Sequence, residues 1–137
     1  MTLLYVDSSA LVKLVAEEPE SRALRAFVAG ADLVSCELAL TEVPRAVRRA
    51  LVRELEPPLA VALERTGELL DSLGLLPLER ALLEAAGAIE EPALRALDAI
   101  HVAAAAALAP LDAFVSYDER QSAAARLAGL RTIAPGG

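Results

Sequence analysis

The amino-acid sequence predicts an α/β domain whose parallel sheet is covered on both faces. Short apolar runs alternate with segments of helical periodicity along the whole chain. Those runs are continuously apolar, without polar residues at every second position, which is the pattern of strands that have no solvated face. The 137 residues are 55% hydrophobic with a mean hydropathy of +0.45, enough apolar material for one compact core.

Leu3-Leu4-Tyr5-Val6 is the first buried strand, stopped by Asp7-Ser8-Ser9. A helix follows, with Ala10, Leu11, Leu14 and Val15 on one face and Ser8 or Ser9 placed to cap it. Pro19 closes that helix, and Glu20 to Gly30 forms a second. Leu33-Val34-Ser35 is the second strand. A long helical region runs from about Leu38 to Leu55 and ends at Pro57-Pro58. Pro44 within it is expected in the first turn or at a kink, because proline has no N–H to give the preceding turn. Ala60 to Leu73 is a further amphipathic helix, and Leu75-Leu76-Pro77-Leu78, after Gly74, a short third strand. Glu79 to Ile89 is helical and Glu90-Glu91-Pro92 breaks it. Leu94 to Leu108 is an alanine-rich helix whose small side chains allow close approach to a sheet. Ala113-Phe114-Val115-Ser116 is the fourth strand, and Glu119 to Ala128 the last helix, with Gly129 as its C′ residue. Leu130 to Ile133 is a weak fifth strand. The chain reads as one domain over residues 1–134, with 135–137 a flexible C-terminal tail.

Composition excludes several classes. A disordered chain lacks this much apolar material. The longest charge-free apolar stretch, Ala99 to Leu111, is 13 residues and holds His101 and Pro110, too short for a bilayer core of about 20 residues. No basic n-region precedes the acid at position 7, which argues against a secretory signal. A lone cysteine, Cys36, forms no internal disulfide and fits a reducing cytoplasm. The net charge of −7 and pI of about 4.7 argue against gripping nucleic acid with the surface at large, but say nothing of a single groove. All of the 13 basic residues except Lys13 are arginines, the side chain best shaped to fork onto phosphate.

In open α/β sheets, ligands bind outside the carboxyl ends of the strands. Asp7 directly follows the first strand and Asp118 the fourth, Asp98 sits in the first turn of a helix, and Glu42 lies early in the helix after the second strand. Four carboxylates are thereby expected at one end of the sheet. Gathered there they repel one another, and a divalent cation reverses that cost. Oxygen-only ligands suit Mg²⁺ or Mn²⁺, whereas zinc recruits Cys or His. Such an ion activates water and clamps a phosphodiester for in-line displacement. Each acid also has an ordinary structural role: Asp7 and Asp118 as helix caps, Asp98 as a complement to the helix dipole, Glu42 as a solvated charge. His101, three residues after Asp98, reads as a packed residue making one hydrogen bond, and Cys36 as a small core residue. Arg45, Arg49 and Arg53 share a helix face with Glu42, a stripe suited to holding an RNA backbone without reading its sequence.

The residues resemble a known family. Tyr5-Val6-Asp7-Ser8-Ser9-Ala10-Leu11-Val12-Lys13-Leu14 looks like the opening of PIN-domain ribonucleases, specifically the VapC toxins of toxin–antitoxin modules. Thr41-Glu42-Val43, Leu97-Asp98-Ala99-Ile100-His101-Val102-Ala103-Ala104-Ala105 and Phe114-Val115-Ser116-Tyr117-Asp118-Glu119-Arg120 resemble the second, third and fourth acidic motifs, in order and over nearly the whole chain. The resemblance implies a three-layer α/β/α PIN-like domain with a central parallel sheet of four to five strands. It also implies Mg²⁺- or Mn²⁺-dependent endoribonuclease activity, a homodimer, and inhibition by a VapB-type antitoxin whose disordered tail folds on the toxin and sets an arginine among the acids. By the same likeness Asp7, Glu42, Asp98 and Asp118 are the catalytic, metal-binding set, with Asp7 and Asp98 as direct ligands and Glu42 and Asp118 acting through water. Ser9 matches a small hydroxyl residue that orients the first acid, and Ser116 stands where Thr is common. Pro44 departs from the pattern and bears on the aim of Glu42.

Two other classes compete. A phosphoacceptor signalling domain also gathers acids at strand ends, but wants a paired acid after the first strand and a lysine after the last; here the only lysine, Lys13, is in the first helix. A catalytically inert binding module with the same fold has no need of all four acids.

Overall fold

A computed structural model describes residues 2–52 and 57–137. Its elements are β1 (Leu3–Val6), α1 (Ser8–Lys13), α2 (Ser21–Val28), β2 (Asp32–Cys36), α3 (Ala39–Ala50), α4 (Leu59–Ser72), β3 (Gly74–Leu76), α5 (Arg80–Gly87), α6 (Ala96–Ala107), β4 (Ala113–Val115), α7 (Glu119–Leu127) and β5 (Thr132–Ile133). All five strands run parallel in the order β3-β2-β1-β4-β5, with Tyr5 of β1 in register with Val34 on one side and Phe114 on the other. This is the three-layer α/β/α sandwich expected from the sequence. Among the described residues no helix is long and apolar enough to cross a membrane.

The two faces of β1 divide the core. Leu4 and Val6 pack with Leu11 of α1, Leu24 of α2, Val43 and Val47 of α3 and Leu70 of α4. Tyr5, which points the other way, packs with Phe114 and with Leu82 of α5, Val102 of α6 and Ala125 of α7. Successive side chains of one strand are thus fully covered on opposite sides, so β1 shows no polar alternation. The alanine run of α6 supplies Ala103, Ala104 and Ala105 to the second layer, where a larger side chain would hold the helix off the sheet.

Chain order makes β1 the switch point: the chain moves outward through β2 and β3, then returns to the other side of β1 as β4. The connections leaving β1 and β4 diverge and open a crevice at the carboxyl edge. Each following helix begins at that edge, and so does α6, which precedes β4.

Several expectations are corrected. Neither Ser8 nor Ser9 caps α1: both lie within it, and Asp7 is the cap, accepting from Ala10 N at 3.0 Å. The long helical region ends its described helix at Ala50, and residues 53–56 lie outside the described residues. Pro44 falls in the second turn of α3, which continues through it to Ala50. The proline leaves the Leu40 carbonyl without its usual helical N–H, near the exposed start of the helix. At the C-terminus, Tyr117 Oη donates to Pro135 O at 2.7 Å and Gly137 N to Ala134 O at 2.9 Å.

The end of α7 is set by Gly129. Gly129 N bonds Arg126 O and Leu130 N bonds Ala125 O, the paired closure of a Schellman motif, with Gly129 at φ +88°. Gly67, by contrast, sits inside α4 with open space where a Cβ would stand. Gly129→Ala is expected to cost about 1 kcal/mol by forcing a Cβ into left-handed backbone, and Gly67→Ala to stabilise by about 0.5–1 kcal/mol through helix propensity. Urea midpoints at unchanged slope check both signs.

Candidate functional site

Asp7, Glu42, Asp98 and Asp118 all line one cavity of about 460 Å³ at the carboxyl edge of the sheet, together with Ser8, Ser9, Glu18, Arg49, Arg95, His101 and Gln121. A larger cavity of about 610 Å³, lined by alanines and by Ile89 and Leu127 between α5, α6 and α7, is apolar apart from Glu90 and Glu91. It lacks the convergent polar groups that chemistry on a charged substrate requires, so the smaller one is the candidate site.

Asp7 is the innermost acid, 2% exposed at the end of the central strand. Its Oδ1 accepts from Ser9 Oγ at 2.7 Å and from Ala10 N, and its Oδ2 from Ser116 Oγ at 2.6 Å. The single hydroxyl proton of Ser116 goes to this shorter contact, while Gln121 Oε1 stands 3.1 Å away. Ser9 Oγ in turn accepts from Tyr117 N at 3.2 Å, and Ser116 Oγ from Asp118 N at 3.1 Å, so the connections after β1 and β4 are tied to the same carboxylate. Burial pushes the Asp7 carboxyl up; the hydroxyls of Ser116 and Ser9, the Ala10 N–H and the charge of His101 pull it back without cancelling the rise.

Asp118 caps α7, its Oδ1 accepting from Gln121 N at 3.0 Å. Asp98 lies in the first turn of α6, with Arg95 Nε 3.6 Å from its Oδ2. Gln121 Nε2 reaches the Asp98 carbonyl at 3.4 Å and ties the starts of α6 and α7 together. Burial and the neighbouring charge of Asp118 raise the Asp98 carboxyl, against the pull of Arg95 and His101. Two of the acids therefore already feel each other's charge.

Glu42 is different in kind. Its Oε1 accepts from His101 Nε2 at 2.7 Å and from Ser8 Oγ at 2.8 Å. Burial alone would lift its carboxyl, but the hydrogen bond and charge of His101, helped by Ser8, hold it low. Burial would likewise push the His101 imidazole down; its hydrogen bonds to Cys36 and Glu42 and the charge of Asp7 instead raise it to about 10. The same contacts that lower the Glu42 carboxyl thus favour a proton on the imidazole of His101. Read from the sequence as a packed residue with one hydrogen bond, it is buried as expected but joins Tyr5, Ser8, Cys36 and Glu42. No local spacing signals this partner, which lies 59 residues away.

Of the arginine stripe, Arg49 lines the cavity, Arg45 is exposed on α3 outside its lining, and Arg53 lies outside the described residues. Arg95 lines the cavity and was not singled out; its spacing of three residues from Asp98 at the start of a helix is the signal that finds it.

The donor set fits a hard divalent ion. It is carboxylate and hydroxyl oxygen on several walls, and the Asp98–Asp118 repulsion is the kind a cation relieves. Among the described residues no three His, Cys, Asp or Glu side chains close tightly enough to ligate one ion unaided. Mg²⁺ and its like retain several waters and take one or two carboxylates directly, which suits acids set on opposite walls.

Comparison with known proteins agrees with this geometry. Residues 4–127 match the PIN domain family. The chain is 39% identical to Ribonuclease VapC47 of Mycobacterium tuberculosis, with 98% of each chain covered. It is 39% identical to Ribonuclease VapC46 of the same organism, covering 98% of this chain and 99% of the relative, and 38% identical to Ribonuclease VapC35, covering 98% of each. With a parallel sheet in this order, acids at its carboxyl edge and full-length relatives of this kind, the chain belongs to the PIN-domain family.

Proposed function

We propose that this protein is a metal-dependent endoribonuclease of the VapC toxin type, hydrolysing RNA phosphodiester bonds with Mg²⁺ or Mn²⁺ and restrained by a VapB-type antitoxin. The observation that carries this reading is the convergence of four carboxylates from four separate segments of the chain on one cavity. Support comes from the three relatives, each named a ribonuclease VapC. A homodimer working in the cytoplasm belongs to the same reading.

In this scheme Asp7 and Asp98 are the direct ligands and Glu42 and Asp118 act through water. A bound divalent ion would activate the attacking water and offset the phosphodiester's charge. Ser9 and Ser116 favour the ionised form of Asp7 against its burial and hold it turned, since each donates to a different oxygen. Arg49 and Arg95 stand at the cavity to hold the RNA backbone, an interaction that positions without reading sequence. Water adds to phosphorus as the P–O3′ bond breaks, leaving 5′-phosphate and 3′-hydroxyl ends. A phosphoacceptor reading finds no free lysine at the site: Lys13 is engaged by Glu20 at 2.9 Å and Glu18 at 3.6 Å.

Asp7→Asn and Asp98→Asn are each expected to lower Mn²⁺-dependent RNA cleavage by at least about a hundred-fold, the loss of a few kcal/mol of charge stabilisation. Because Asp7 is a carboxylate held against its burial, Asp7→Asn should melt no lower than the parent. Full cleavage by either purified variant would refute the assignment. For binding, removing Arg49 and Arg95 together is expected to flatten the slope of log affinity against log salt by about 0.7 per lost phosphate contact. Arg45→Ala should change that slope less, as read from filter-binding titrations on a single-stranded RNA.

A further inference from the structure

Glu42 carries its carboxylate on a side chain with three rotatable bonds, from the first turn of α3 and two residues before Pro44. Holding such a side chain in one rotamer costs roughly 1.5–2 kcal/mol of entropy, so some partner must fix it. Both of its donors among the described residues, His101 Nε2 and Ser8 Oγ, go to Oε1. Among the described residues no hydrogen bond reaches Oε2.

His101 is itself immobile. It is 2% exposed, and its Nδ1 stands 2.8 Å from Tyr5 Oη. Its ring meets that of Tyr5 edge-on, at 5.9 Å and 77°. Tyr5 is fully buried and stacked on Phe114 at 5.4 Å and 9°. Whichever way the proton lies between Tyr5 Oη and Nδ1, Nε2 must carry one, because a carboxylate only accepts. A packed path therefore leads from β4 through β1 and α6 to Glu42, the one of the four candidate acids that arrives on a long side chain.

We propose that His101 is a positioning residue of the acidic site: anchored by Tyr5, it pins the Oε1 edge of Glu42 and leaves Oε2 as the oxygen available to a cation or its waters. The inference rests on the metal-dependent reading above. Residues that orient metal-site carboxylates through a hydrogen bond typically matter about 10–100-fold in metal affinity.

The test is Mn²⁺ affinity by titration calorimetry on the full chain, without RNA, beside RNA cleavage by the same preparations. His101→Leu is expected to weaken Mn²⁺ binding about ten-fold or more, and His101→Gln, whose amide N–H can still donate, to recover most of it. Adding Glu42→Gln to His101→Leu should cause no further loss, because the histidine acts through that carboxylate. Should His101→Leu fail to fold, Tyr5→Phe keeps the ring stack and removes only the hydroxyl; a loss in the same direction, again non-additive with Glu42→Gln, is expected. Unchanged affinity in the folded variants, or losses that add to that of Glu42→Gln, would overturn the proposal while cleavage by the parent protein left the nuclease reading standing. The expected pattern of Mn²⁺ binding in a parent protein that cuts no RNA would do the reverse.

Discussion

A carboxylate removed from water costs several kcal/mol unless donors replace the hydration it loses. Asp7 meets that condition at the end of the central strand, with two hydroxyls and a backbone N–H around its two oxygens. The donors come from the connection after β1 and from the end of β4, which only the switch in strand order brings together. Satisfying this one side chain therefore fixes the width of the crevice. It also makes Asp7 both the cap of α1 and the floor of the cavity.

Around that floor the remaining acids are balanced in different ways. Asp118 is spent partly on capping α7, and Asp98 is eased by Arg95. Glu42 has a buried hydrogen-bond donor of its own in His101. The site thus keeps its negative charges apart on separate walls and supplies part of the compensation from within the fold. What remains uncompensated, the repulsion between Asp98 and Asp118 and the raised carboxyl of Asp7, is what the divalent ion of the proposed function would relieve. On the proposed reading, Arg49 and Arg95 at the cavity would let an acidic protein hold RNA locally, where net charge has no say.

Much of this was legible in the residue order. Strands buried on both faces write themselves as unbroken apolar runs, and alternation with helices then fixes a parallel sheet. Once the sheet is parallel, an acid just after a strand or just inside a helix start has a known location, which is why Asp7, Glu42, Asp98 and Asp118 were found. Partnerships decided by tertiary packing left no such trace. Glu42 and His101 belong to helices that cover opposite faces and meet only around the carboxyl edge, so neither period nor spacing connects them. Asp7, Ser8 and Ser9 all suit a helix cap by residue type, so residue type alone leaves the choice among them open. Pro44 looked disruptive because local rules charge the full loss of a hydrogen bond, yet α3 carries it near an exposed helix start. Arg45 and Arg49 share a face on paper, but one helical turn separates the arginine that lines the cavity from the one beyond it.

On the proposed reading, the acids after β1, before α7 and in the first turns of α3 and α6 act together on one hard cation. Crystals of the protein grown with Mn²⁺ and measured for anomalous scattering test it most directly. The expected result is a single region of anomalous density between Asp7 and Asp98, with Glu42 and Asp118 reached through ordered water. Density confined to other carboxylates, or none at Mn²⁺ concentrations that support RNA cleavage, would contradict it.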